Sequence, residues 1–206
     1  MKTIMCFGDS NTYGINPETG LRFAKNERWP GILQELLGED YYVIEEGLGG
    51  RTTVWEDPLA DNRCGMTALP MLLDSHAPLD WVVMMLGNND LKYHFAALPE
   101  DVAAGAAKLV STVLHHPYSQ QQRPPQILLI SPVAVGEHVE ESRYGGFREE
   151  AVRYSRKLPE LYRKVADQYQ CAFLEAGSVA AADPADKHHM NRASHRALAE
   201  KIAGLL

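Results

Sequence analysis

Five short apolar runs, each rich in β-branched or large aliphatic residues, alternate with segments of helical period. They lie at residues 2–7, 41–45, 80–86, 126–131 and 171–175. Most lack a clean apolar/polar alternation, the pattern of strands buried on both faces of a parallel sheet. Over residues 101–115, Val102, Ala106, Leu109, Val110 and Val113 fall on one face of a helix. Residues 148–168 repeat the pattern with Ala151, Tyr154, Leu158, Leu161 and Val165. Pro159 lies inside that segment, which predicts either a kinked helix or two shorter ones. A last helix is expected after Asn191, a good N-cap, with Ala197, Leu198, Ile202 and Leu205 facing inward. Shorter helices are expected over residues 29–37 and 66–76. This order of elements predicts an α/β fold, a three-layer α/β/α sandwich around a flavodoxin-like five-stranded parallel sheet. The 206 residues suit one domain over 1–206.

In such folds ligands bind beyond the carboxyl ends of the strands. That rule directs attention to four loops, at residues 8–14, 47–53, 87–90 and 176–190, which follow the first, second, third and fifth runs. The stretch 115–125, with its glutamines and paired prolines, reads as a polar crossover loop.

Composition narrows the function classes. Twenty Lys and Arg against 27 Asp and Glu leave a net charge of −7, unsuited to neutralising a phosphate backbone, so no nucleic-acid partner is expected. No apolar stretch approaches the roughly 18 residues of a membrane-spanning helix. The apolar run at residues 2–7 is too short for a signal peptide. The expectation is a cytoplasmic protein without a membrane partner. Cys6, Cys64 and Cys171 are too few and too scattered for a disulfide framework or a zinc site, and Cys6 and Cys171 read as small core residues.

The loops carry the chemistry. In Gly8-Asp9-Ser10-Asn11-Thr12-Tyr13-Gly14 a serine follows a buried strand directly. It reads either as the start of a helix whose amides face an anion or as an ordinary capped turn. Asp186-Lys187-His188-His189 sets a carboxylate three residues before an imidazole. That spacing lets the carboxylate hold one ring nitrogen of His189 while the other faces a nucleophile. His188 is the competing base. Gly87-Asn88-Asn89-Asp90 offers a side-chain amide over the sheet edge, or a plain Asn/Asp turn. Gly47-Leu48-Gly49-Gly50-Arg51 offers an unobstructed backbone amide, or a flexible loop.

Taken in order, these blocks resemble those of the SGNH (GDSL) hydrolases. Gly8-Asp9-Ser10 looks like the nucleophile block, Gly50 like the glycine block, Asn89 like the asparagine of Gly-x-Asn-Asp, and Asp186 with His189 like Asp-x-x-His. Further likeness, in Arg28-Trp29, residues 43–48 and Arg51-Thr52-Thr53, is to the bacterial arylesterase/acyltransferase branch. The resemblance implies the SGNH hydrolase fold and a catalytic triad of Ser10, Asp186 and His189. It also implies an oxyanion hole from the Ser10 and Gly50 amides and the Asn89 side chain. The implied activity is hydrolysis or transfer of short acyl groups from small carboxylic esters, with no metal or organic cofactor, by a protein that often forms homo-oligomers. Carbohydrate acetylesterase, thioesterase and lysophospholipase activities all occur among such relatives. Asn11 stands where the family usually has Leu, and Met190 where Phe or Leu is usual. Tyr13 and Trp55 are candidate substrate-binding walls, or ordinary packing aromatics. From another class, a flavodoxin-like ligand-binding module would share the architecture but leaves Asp186 and His189 without a role. No Gly-x-Ser-x-Gly elbow supports an α/β-hydrolase.

Overall fold

A computed structural model describes residues 1–206. The strands are β1 (Lys2–Gly8), β2 (Tyr41–Gly47), β3 (Trp81–Met85), β4 (Gln126–Ser131) and β5 (Ala172–Glu175). All pair in parallel, in the order β2-β1-β3-β4-β5. The runs read from the sequence thus become strands, with ends shifted by at most two residues.

The helices are α1 (Ser10–Tyr13), α2 (Trp29–Leu37), α3 (Gly65–His76), α4 (Pro99–His115), α5 (Glu150–Ser155), α6 (Leu158–Tyr169) and α7 (Arg192–Ala203). Parallel neighbours need crossovers, and right-handed ones place a helix on the face set by the direction of travel along the sheet. The step from β1 to β2 runs opposite to all later steps. Hence α2 and α7 pack together on one face, while α3, α4 and α6 cover the other. The strands are apolar on both sides for this reason: Met5, Phe7, Val82 and Met84 join one core, and Ile4, Cys6, Val83 and Met85 the other.

Pro159 does not kink a long helix. It sits in the first turn of α6, where its missing N–H costs nothing, and α5 ends before it. Asn191 caps α7 as expected, its side chain accepting from the Ser194 N–H at 3.0 Å. Leu205 is a correction: α7 stops at Ala203, so Leu205 lies beyond the helical face and is exposed. The inward face of α7 carries His195 instead, fully buried, its Nδ1 accepting from the Trp29 N–H at 3.3 Å. Cys6 lies in the core, whereas Cys171 is only partly buried, just before β5. No helix is long and apolar enough to cross a membrane.

The strand order reverses direction between β1 and β3, which opens a crevice at their carboxyl ends. Ser10 follows β1 and Asn89 follows β3, so the two flank that crevice.

Candidate active site

Ser10 opens α1, a single turn capped by Asp9, whose Oδ1 accepts the Asn11 N–H at 2.9 Å. The turn packs tightly on the end of β2. A Cβ on Gly47 would lie 2.1 Å from the Tyr13 nitrogen, so only glycine lets the strand end and the turn approach this closely. Burial pushes the Asp9 carboxyl up to about 6 against the pull of Asn11 N–H, His189 and Arg51.

From the other end of the chain, the loop before α7 brings His189 onto Ser10, with 2.8 Å between Nε2 and Oγ. The other ring nitrogen, Nδ1, lies 2.7 Å from Asp186 Oδ2. Asp186 Oδ1 also accepts the backbone N–H groups of His188 at 3.0 Å and His189 at 2.8 Å. Burial opposes ionisation of Asp186, but the hydrogen bonds from the His189 ring and from the two backbone amides outweigh it and hold the carboxyl below its usual range. The loop is closed by Asp183, whose N–H donates to the His189 carbonyl and whose own carbonyl accepts from Lys187, both at 2.7 Å. Lys187 takes a left-handed conformation, φ 63°, to make that turn.

Gly50 and Asn89 line the same cavity as Ser10, and their neighbours hold them there. Gly50 has φ +79°, a conformation that favours glycine, and its N–H makes no hydrogen bond within the chain. The Asn89 amide donates to the Arg51 carbonyl at 3.0 Å, which fixes its plane. Arg51 is buried; its guanidinium stacks on Phe7 and donates to the carbonyls of Gly8 and Glu46, tying together the ends of β1 and β2. Asp90 accepts from the Thr53 N–H at 2.9 Å and from its hydroxyl, and burial raises its carboxyl to about 7. Asn88 donates to the Val133 carbonyl at 2.8 Å. The three residues 88–90 therefore lock the crevice to its neighbours on both sides.

Ser10, Gly50, Asn89 and His189 line a cavity of about 260 Å³ whose other walls include Ile15, Lys92, Tyr144, Phe147 and His188. Tyr13 and Trp55 do not line it, which corrects their reading as substrate-binding walls and leaves them as packing aromatics. The Tyr13 ring lies under the Arg22 guanidinium, 4.1 Å from its centroid. Trp55 is carried away by the turn after Thr53 and packs against Phe95 and the helix α4 at Gly105. The aromatic walls come from residues 142–147, in the loop after β4, the one strand-end loop not singled out in the sequence. Tyr144-Gly145-Gly146-Phe147, two aromatics around paired glycines at a strand's carboxyl side, was the available signal. This loop is pinned across the site: Arg143 donates to the carbonyls of Pro17 and Glu18, and the Gly146 carbonyl accepts from Tyr93. Tyr144 then meets the His189 ring edge-on, with centroids 4.6 Å apart. No cluster of three or more His, Cys, Asp or Glu side chains is arranged to hold a metal ion.

The arrangement is a hydroxyl, an imidazole and a buried carboxylate in series, beside amide donors, in a small cavity. Chemically it suits attack on a carbonyl and stabilisation of the resulting oxyanion. The profile of the GDSL-like lipase/acylhydrolase family matches residues 6–197. A carbohydrate acetylesterase family member from Sinorhizobium meliloti superposes with a TM-score of 0.91 at 38% identity, over 100% of this chain and 97% of that one. The M. Smegmatis aryl esterase superposes with a TM-score of 0.91 at 36% identity, over 100% of this chain and 98% of that one. No curated protein matches by sequence.

Proposed function

The chain belongs to the GDSL-like lipase/acylhydrolase family, a carboxylic ester hydrolase by that membership, and from this premise we propose that it cleaves short-chain esters through an acyl-enzyme on Ser10. The observation that carries the reading is the unbroken contact series from Ser10 Oγ through both nitrogens of His189 to Asp186. Ser10 Oγ attacks the ester carbonyl carbon while its proton passes to His189 Nε2. Asp186 keeps the proton on Nδ1 and stabilises the imidazolium. The carbonyl oxygen, now negative, is met by the Ser10 and Gly50 N–H groups and the Asn89 amide. Collapse expels the alcohol oxygen, which takes the proton from His189. Water then attacks the acyl-serine with His189 again as base, releasing the acid and restoring Ser10. An acceptor alcohol in place of water would give acyl transfer.

The size of the cavity, about 260 Å³, supports acyl groups from acetyl to butyryl. A second reading, removal of acetyl groups from carbohydrates, is favoured by the polar groups of Lys92, Tyr144 and His188 among its walls and by likeness to the S. meliloti protein. The test of the shared chemistry is a fluorophosphonate probe. It should modify Ser10 alone, as read by peptide mass spectrometry. Ser10→Ala should lose the label, and p-nitrophenyl acetate turnover should fall on the order of 10⁶. Labelling elsewhere, or retention of more than about 1% of turnover, overturns the proposal.

A further inference from the structure

His188 has no part in the proton path, yet it is built into the same cavity. Its ring is held between Phe147, with centroids 4.7 Å apart, and the edge of His189, at 4.6 Å. The residue is 2% exposed and lines the cavity beside Ser10 and His189. All its hydrogen bonds run through the backbone, with its N–H donating to Asp186 and its carbonyl accepting from Asn11. The ring makes none: Nδ1 is buried without a partner, and Nε2, the ring nitrogen that keeps accessible surface, has no partner in the chain either. Natural proteins rarely leave a buried polar side chain unpaired, and where they do a ligand is one explanation.

The ring sits against the base, and the base must hand its proton to the departing alcohol oxygen. A group packed on His189 in the same cavity is therefore placed beside the departing alcohol oxygen. We propose that His188 is a specificity-determining residue whose ring edge hydrogen-bonds a free hydroxyl on the alcohol portion of the ester, so that esters of polyols are preferred over those of apolar alcohols. This rests on the acyl-enzyme reading above. Burial, reinforced by His189 and Lys92 and opposed by Asp186, pushes the His188 ring down to about 3, so it meets substrate as a neutral group. A neutral imidazole offers one donor and one acceptor, and a hydroxyl satisfies either. A site holding an otherwise unpaired polar group discriminates strongly against an analogue that lacks the partner.

The experiment compares 2-hydroxyethyl acetate with propyl acetate, which differ by a hydroxyl in place of a methyl. Wild-type kcat/KM should favour the hydroxylated ester by about 10-fold or more after correction for alkaline hydrolysis rates. His188→Leu should lose most of that preference, and His188→Gln, which keeps a donor and an acceptor, should retain most of it. Should the leucine variant not fold, His188→Met takes its place. On the acyl side, propyl hydroxyacetate and propyl propionate should show no comparable preference in wild type. Absence of the preference in wild type overturns the proposal, as does its survival in His188→Leu, its loss in both variants alike, or its appearance on the acyl side instead. Fluorophosphonate labelling of Ser10 is followed in parallel. Its failure falls on the acyl-enzyme reading, whereas intact labelling without the hydroxyl preference falls on this inference alone.

Discussion

The side chain of Asn11 clamps the backbone on both sides of His189, accepting from the Met190 N–H at 2.9 Å and donating to the His188 carbonyl at 3.3 Å. The residue next to Ser10 thus sets the position of the imidazole that faces Ser10. Both contacts are buried, so removing the amide strands two backbone groups away from water. Asn11→Ala should cost about 1–3 kcal/mol of stability. It should also lower kcat by roughly 10- to 100-fold through misplacement of the base, with KM little changed. Thermal melting and steady-state kinetics on one preparation check both parts. A destabilised variant with normal kcat would show the clamp to be structural only.

Asp186 accepts from the His189 ring and from two backbone amides. In Asp186→Asn the oxygen keeps the amide contacts while the new N–H₂ faces Nδ1. That forces the ring proton onto Nε2, where it blocks acceptance from Ser10. The expected result is a fall in kcat of about 10⁴ with nearly unchanged KM, and an equally slowed phosphonate labelling of Ser10. A loss below about tenfold would mean that the carboxylate only shapes the loop.

Asn89 is aimed by its contact with the Arg51 carbonyl, and its second amide hydrogen is free to meet an oxyanion. A donor that acts only on the tetrahedral intermediate affects kcat far more than KM. Asn89→Ala should lower kcat by roughly 10²–10³. A stable variant with near-normal kcat would remove Asn89 from the site.

Asp90 yields a pH prediction. Burial raises its carboxyl to about 7 in the folded chain despite the Thr53 hydrogen bonds, against about 3.9 when unfolded. The folded state therefore holds the proton more tightly than the unfolded one. Its contribution to stability is full below about pH 4 and is lost as pH rises through about 7. Asp90→Asn keeps an acceptor for the Thr53 N–H and does not ionise. The difference in Tm, variant minus wild type, should become more positive from pH 5 to pH 8. A flat or falling difference would show that Asp90 is ionised throughout.

The residues by themselves determined the layers, the strands and the loops that bear the chemistry. Burial on two faces writes continuous apolar runs, and helix caps and breakers act locally, so Pro159 and Asn191 mark boundaries whatever surrounds them. The Asp186–His189 spacing likewise makes their contact a matter of one turn. Only the tertiary structure decided how those loops meet. Asn11 and Met190 touch because the loop between β5 and α7 returns across the carboxyl ends of the sheet to the turn after β1, and no periodicity reports that. The cavity walls are hidden from the linear sequence for the same reason. Tyr13 and Trp55 lie close to Ser10 and Gly50 along the chain, but a turn sends each elsewhere, while Tyr144 and Phe147 arrive from the loop after β4. Irregular backbone aims its side chains through contacts with distant residues, and those contacts exist only once the strand order has formed.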